Sequence, residues 1–234
     1  MNRNPSKKSF FKKLKDFGWL PTSIIDVGVH KYGTPDLIKA FPESHHILIE
    51  PVQEFSEPIK KLYDSCNINY TFYSIGLGKE EAELSLETKA ICNDNVVSHS
   101  SLTSEINEAN SSTVKVLTLD WIYRKHRTIE KENTILKIDV DGLELEILQG
   151  AKESLHHYDL IIIEMPMRTF EARLLHLISK GFQLIDIIDP TYYHGFLSQV
   201  DMVFASPDMV KENPSIEPWG KYDFSWDDYY HWRP

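Results

Sequence analysis

Residues 23–33 read Ser23-Ile24-Ile25-Asp26-Val27-Gly28-Val29-His30-Lys31-Tyr32-Gly33. An apolar, partly β-branched run that stops at a glycine is the pattern of a buried strand ending in a tight turn. Similar runs occur at His46-Ile47-Leu48-Ile49-Glu50, at 70–77, at 114–119, at Ile135-Leu136-Lys137-Ile138-Asp139-Val140 and at Leu160-Ile161-Ile162-Ile163-Glu164. The last of these is apolar almost throughout, as in a strand covered on both faces. Helical stretches alternate with the strands: 35–41, where Pro35 and Asp36 suit a first turn, then 52–63, 120–127, 143–155 and 170–179. Strands alternating with helices predict an α/β fold on a mostly parallel, doubly wound sheet. Residues 183–188 and 199–205 read as two strands around a loop, an antiparallel C-terminal hairpin added to that sheet. Residues 78–83 look like a turn, 84–86 like a return strand, and the Ser- and Asn-rich 93–112 like a loop.

The chain has 234 residues, 41% hydrophobic and 26% charged, which suits a folded domain with a real core. No apolar run approaches the ~20 residues of a membrane helix, so no integral membrane segment is expected. Residues 1–15 are basic and lack a signal-peptide apolar stretch, and the two cysteines, Cys66 and Cys92, make no disulfide framework. A cytoplasmic location is the expectation. The formal charge of −10 argues against nonspecific nucleic-acid binding over most of the surface. That charge is uneven. Residues 1–16 hold six basic side chains against Asp16, a local +5, which leaves −15 on the remainder. Phe10, Phe11, Leu14 and Phe17 fall at helical spacing there. They predict a first helix, within 1–20, that packs on the domain with its lysines in water. A membrane-surface or polyanion-binding helix is the other use of such a pattern. Residues 21–205 form the expected main domain. Residues 206–234 are an extension with seven aromatics between Trp219 and Trp232, which suit packing on the domain, on a partner or in a homodimer interface.

Open α/β sheets bind ligands at the carboxyl ends of their strands, where the Gly28 loop lies. Gly28 and Gly33 match the first and last glycines of G-x-G-x-x-G, but His30 replaces the middle one. That middle glycine lets the backbone approach a pyrophosphate, so His30 argues against NAD or FAD. A nucleoside cofactor without phosphates, such as S-adenosylmethionine, has less need of that approach. Glu50 ends the second strand, 22 residues after Gly28, where a carboxylate can accept from both ribose hydroxyls. His30 equally suits a cap on the next helix.

Lys137-Ile138-Asp139-Val140-Asp141-Gly142-Leu143-Glu144-Leu145-Glu146-Ile147-Leu148-Gln149-Gly150-Ala151 is the most distinctive run. Asp141 with Glu144 three residues on is close to a capping box. That leaves Lys137 and Asp139, two charges on one face of an apolar strand, to be explained by pairing or by function.

With these residues the chain resembles the FkbM-like methyltransferases, which use S-adenosylmethionine on the Rossmann-like class I methyltransferase fold. The matching pieces, in order, are Ile24-Ile25-Asp26-Val27-Gly28, Ile49-Glu50-Pro51, Ser74-Ile75-Gly76-Leu77-Gly78 with Glu83-Leu84, Ser100-Ser101-Leu102, Val116-Leu117-Thr118-Leu119-Asp120, Lys137 to Gly142 through Gly150-Ala151, Ile163-Glu164, and Val200-Asp201-Met202-Val203-Phe204. The family usually has Asn at His30 and often Glu at Asp141. The resemblance implies methyl transfer, most often to a hydroxyl; the acceptor stays open among a sugar or glycan, a polyketide and a small metabolite. It implies that Glu50 holds the ribose and that Asp26 orders the Gly28 loop and meets the methionine end. Ser74, Ile75 and Gly76 should lie near the adenine. Asp139 and Glu164, on adjacent strand ends, suit a proton acceptor and a substrate orienter. The same two carboxylates would hold a divalent cation (Mg or Mn) if one binds, and a salt bridge to Lys137 is the plain alternative for Asp139. His194, in the 189–195 loop, suits a general base or a surface histidine, and Tyr192 and Tyr193 suit an acceptor pocket. A non-catalytic binding module on the same fold, using the aromatic tail, is the competing function.

Overall fold

The computed structural model describes residues 4–89, 99–103, 111–127, 129 and 133–213. In chain order the elements are α1 (Lys7–Asp16), β1 (Ser23–Val27), α2 (Pro35–Ala40), β2 (His45–Ile49), α3 (Ser56–Ser65), β3 (Tyr70–Tyr73), β4 (Gly76–Leu77), β5 (Ala82–Lys89), β6 (His99–Thr103), β7 (Ser111–Leu117), α4 (Leu119–Lys125), β8 (Thr134–Ile138), α5 (Glu144–Gln149), β9 (Leu160–Pro166), α6 (Phe170–Ser179), β10 (Gln183–Tyr193), β11 (Phe196–Ala205) and α7 (Pro207–Glu212). The central sheet runs β10-β11-β9-β8-β1-β2-β3. Its five strands from β9 to β3 are parallel, and β11 and β10 are antiparallel. This is the doubly wound, Rossmann-like α/β sheet with an antiparallel hairpin at one edge.

The chain leaves β1 toward β2 on one side and finds β8 on the other, so the strand order reverses between β1 and β8. Ligand crevices open at such a switch point, outside the carboxyl ends of the strands. β1, β8 and the first four residues of β9 are buried at every position, as their apolar runs require.

A second sheet, β4-β7-β5-β6, was not expected. The run 70–77 reads as one strand, yet it breaks after Tyr73. β3 is the edge of the central sheet, and Leu77 gains burial only by crossing to pair with Leu117 of β7 in the main core. Part of the expected loop 93–112 is strand as well: β6 pairs with β5. Its serines and threonines carry no apolar alternation to reveal it.

The helix expected over 143–155 stops at Gly150, whose Cβ would lie 2.2 Å from the Gly78 carbonyl oxygen. Beyond it, the Asp120 carboxylate captures the amides of Lys152, Glu153 and Ser154 at 3.0–3.2 Å and the Ser154 hydroxyl at 2.8 Å. Amides taken by a side chain cannot continue a helix. Asp120→Ala strands these donors in a partly buried turn and is expected to cost about 2 kcal/mol. Urea unfolding with an unchanged slope measures it.

Helix α1 packs Phe10, Phe11 and Leu14 against Ile24, Phe41, Ile135, Leu160 and Val203, while Phe17 turns outward. Each such buried side chain contributes about 1.5–3 kcal/mol relative to exposure. Lys8, Lys12, Lys13 and Lys15 are exposed, but Lys7 turns inward, contrary to the expectation that all the lysines face water. Of the 206–234 segment, α7 is capped by Ser206 and buries Met209 and Val210 in the same cluster. The seven aromatics of 219–232, Cys92, and the side chains of Ser100, Ser101 and Leu102 lie outside the described residues. Among the described residues no helix is long and apolar enough to cross a membrane.

Candidate active site

A cavity of about 500 Å³ opens over the switch point, within the range of ligand pockets. One half is lined by Gly28, His30, Gly33, Glu50, Phe55, Ile75 and Gly76, from the β1, β2 and β3 side. The other half is lined by Asp139, Asp141, Glu164, Asp189 and Lys7, from the β8, β9, β10 and α1 side.

Gly28 sits between the halves at φ +81°, and an added Cβ would lie 1.9 Å from the Asp139 carbonyl oxygen. Its amide continues the β1–β2 ladder to Ile49 at 3.0 Å, and the Asp139 amide reaches Val27 at 3.0 Å. The glycine thus serves two requirements at once, a left-handed turn and a close backbone approach. His30 also lies in the left-handed region, at φ +52°. Among residues with side chains, Asn, Asp and His are the ones enriched there, so a histidine suits this position. Its ring meets Phe55 edge-on at 4.7 Å.

Glu50 is buried, and its two oxygens accept from the backbone amides of His30 (2.8 Å) and Val52 (3.0 Å). Burial pushes its carboxyl above the usual range, and the two amides pull it back. Each oxygen keeps a second lone pair for a ligand.

Asp26 is placed differently from the expectation. Its carboxylate is wholly buried beneath the loop, outside the cavity lining, 3.3 Å from the Lys137 ammonium. Lys137 lies between Asp26 and Asp139, with Asp139 at 3.1 Å. Burial alone would favour a neutral lysine, but Asp139 and Asp26 more than offset it and hold its pKa above the ordinary value. Lys137 in turn holds the Asp139 carboxyl below the usual range. The salt bridge and the cavity position therefore coexist at Asp139, whose side chain keeps 40% of its surface exposed.

Glu164 accepts a short hydrogen bond from the Gln199 amide and lies opposite Asp201 in the β9–β11 register. Burial first, then the negative charges of Asp139, Asp201, Glu144 and Asp141, push its carboxyl up to about 8. The loop before α5 is held from behind. Glu144 pairs with Arg173 of α6, both buried, and its other oxygen accepts from the Gly142 amide at 3.3 Å. Leu143, not Asp141, is the N-cap of α5, so the capping-box reading of Asp141 is replaced by a place in the cavity wall.

Two more expected site residues are not in the cavity. Ser74 is exposed beside the break between β3 and β4. His194 is exposed in a two-residue hairpin turn with Gly195, at φ +50° and +81°, because β10 and β11 extend through the expected loop. Lys7, Phe55 and Asp189 enter the site without having been expected there. Asp139 and Glu164 are already engaged by Lys137 and Gln199. A hard cation takes six or more oxygen ligands, and no group of three or more metal-ligating side chains occurs among the described residues. The described residues therefore give no support to a Mg or Mn ion.

A family model described as the methyltransferase FkbM domain matches residues 26–189. No curated protein matches the chain. Among solved structures, similarity extends to an uncharacterized protein from Listeria monocytogenes serotype 4b, at 11% identity, covering 90% of this chain and 71% of that one, TM-score 0.47. A Streptococcus pneumoniae protein described as a putative tRNA (m1A22) methyltransferase, in complex with S-adenosyl-L-methionine, is similar at 13% identity, with 84% and 72% covered and TM-score 0.48. A precorrin-6y C5,15-methyltransferase from Geobacter metallireducens is similar at 9% identity, with 85% of each chain covered and TM-score 0.45.

Proposed function

The chain belongs to the FkbM methyltransferase family, and we propose on that premise that it carries a methyl group from S-adenosylmethionine to a hydroxyl oxygen of a sugar, glycan or small metabolite. The observation that carries this reading is the two-halved cavity, with Glu50 on one side of Gly28 and Glu164 on the other. The residues fit the cofactor. Gly28 lines the cavity beside the close approach of its loop to Asp139, Glu50 has lone pairs for two ribose hydroxyls, and Phe55 and Ile75 supply apolar surface. A cavity lined by carboxylates suits a positively charged ligand. When bound, the cofactor supplies a methyl group made electrophilic by its sulfonium.

The protein's share is then to orient an acceptor and to take its proton. Glu164 is the fitting proton acceptor. A carboxylate that is buried, and crowded by other negative charges, gains from protonation, and its raised pKa puts that exchange near neutral pH. Asp139, kept ionised by Lys137, is the fitting orienter, since an ionised carboxylate accepts from a hydroxyl without competing for its proton.

Calorimetric titration with S-adenosylhomocysteine tests the reading. Saturable binding is expected, and Glu50→Ala is expected to weaken it on the order of 10–100-fold through the loss of charge-assisted hydrogen bonds. Absence of heat with both this ligand and S-adenosylmethionine would remove the reading and favour a non-catalytic module.

A further inference from the structure

The N-terminal segment is clasped to the rim of the cavity at a site 182 residues away in sequence. The Pro5 carbonyl accepts from the Asp189 amide at 2.8 Å. The Lys7 amide donates to Asp189 Oδ1 at 3.2 Å, and the Lys7 ammonium donates to Asp189 Oδ2 at 2.9 Å and pairs with Asp201. Asp189 stands at φ +48°, within an irregularity of the β10–β11 register between Ile188 and Thr191. Bulges of this kind re-aim side chains beside active sites, and a residue other than glycine in the left-handed region is held there by its contacts.

Attachment of α1 does not call for this lysine. Phe10, Phe11 and Leu14 already bury the helix against the sheet. Burying an ammonium is unfavourable by itself, and four neighbouring lysines stay in water. Lys7 is 14% exposed, and that remaining surface faces the half of the cavity that holds Asp139 and Glu164. An ammonium has three donors. Asp189 and Asp201 take two, which leaves one for a ligand. Both Asp189 oxygens keep a lone pair after accepting from Lys7.

We propose that Lys7 and Asp189 are positioning residues of the acceptor half of the cavity, where they bind a second hydroxyl of the acceptor and so aim the reacting hydroxyl at Glu164. The inference rests on the methyl-transfer reading above. A juxtaposed donor and acceptor suits a hydroxyl, which gives one hydrogen bond and takes another. A carboxylate or phosphate in that place would meet Asp189, Asp139 and Asp201.

The test is transfer of labelled methyl groups from S-adenosylmethionine into a small-molecule extract of the source cells, measured over a dilution series of extract. Lys7→Met is expected to raise the half-saturating extract concentration at least tenfold, with S-adenosylhomocysteine affinity by calorimetry within twofold of wild type. Lys7→Arg, which keeps charge and donors, should recover most of the loss. Half-saturation by Lys7→Met at the wild-type concentration would overturn the inference and leave Lys7 as an anchor for α1. If Lys7→Met does not fold, Asp189→Asn replaces it, since that variant keeps the amide bond to Pro5 and the Lys7–Asp201 pair. The same tenfold rise supports the proposal, and its absence overturns it. A wild-type protein that binds S-adenosylhomocysteine yet shows unchanged half-saturation in the variants defeats only this inference. A wild-type protein that neither binds it nor transfers label defeats the methyl-transfer reading as well.

Discussion

Gly28→Ala is expected to weaken binding of S-adenosylhomocysteine by more than about 100-fold and to lower stability by about 4 kcal/mol. Two separate costs add. Alanine at φ +81° is in a region that L side chains avoid, at about 1–3 kcal/mol. Its Cβ would also sit 1.9 Å from the Asp139 carbonyl oxygen and 2.9 Å from Val140 Cγ1, and overpacking of this kind costs about 1–3 kcal/mol more. The backbone cannot yield cheaply, because the Asp139 amide is bonded to Val27 and the Gly28 amide to Ile49. Any shift that makes room moves Asp139 away from Lys137 and opens the wall between the cavity halves. The stability loss is read from urea unfolding and corresponds to a midpoint lower by roughly 8–16 °C for a chain of this size. Gly142→Ala is the control. Gly142 is also at positive φ, +109°, but no atom lies within 4 Å of its added Cβ, so it carries the strain without the collision. Equal losses in the two variants would show that the Asp139 contact contributes nothing.

What the sequence revealed of the fold and site follows from where the determining contacts lie. β1, β2, β8 and β9 are legible because burial on both faces writes itself as a mostly apolar run, with Asp26 and Lys137 as charged exceptions. Glu50 and Gly28 are legible because both sit where such a run stops. The β3–β4 break is not, since the choice to leave the sheet edge is made by Leu117, forty residues on. Asp120 illustrates the same limit: it ends α5 by binding amides 32–34 positions away. Asp26 is expected at the methionine end because the resemblance implies it and it stands near the end of β1. Its side chain points under the loop, toward a lysine on the neighbouring strand, and strand position alone does not say which way a carboxylate turns. Lys7 shows the largest gap. It belongs to a run of lysines that any local pattern assigns to water, and only its partners at residues 189 and 201 mark it out.

Glu164→Gln is expected to lower methyl transfer by 10²–10⁴-fold, the usual contribution of a positioned base, while S-adenosylhomocysteine affinity stays within a few-fold of wild type. The substitution keeps the shape of the side chain and its place opposite Asp201 but removes the proton-accepting oxygen. The pH dependence separates this role from a structural one. In the folded protein the carboxyl titrates near pH 8, against an ordinary value of 4.5. A base works only when ionised, so wild-type transfer at low acceptor concentration should climb as pH rises and level off above about 8. The residual transfer of Glu164→Gln should lack that climb. Stability runs the other way. The folded state holds this proton more tightly than the unfolded chain does, so between pH 4.5 and 8 the group makes folding less favourable as pH rises. Glutamine has no proton to lose. The variant should therefore gain stability relative to wild type across that window, with the difference largest at its alkaline end. The neighbours that raise this pKa are Asp139 and Asp141 from the loop after β8, Asp201 from β11 and Glu144 from α5, while Lys7 and Lys137 partly neutralise Asp201 and Asp139. Asp139→Asn removes one of those charges, and so should shift the wild-type climb toward lower pH while leaving Glu164 in place. Transfer by Glu164→Gln at the wild-type rate, with the same pH profile, would exclude Glu164 as the proton acceptor. Loss of transfer accompanied by loss of cofactor affinity would instead make it a structural member of the cavity wall.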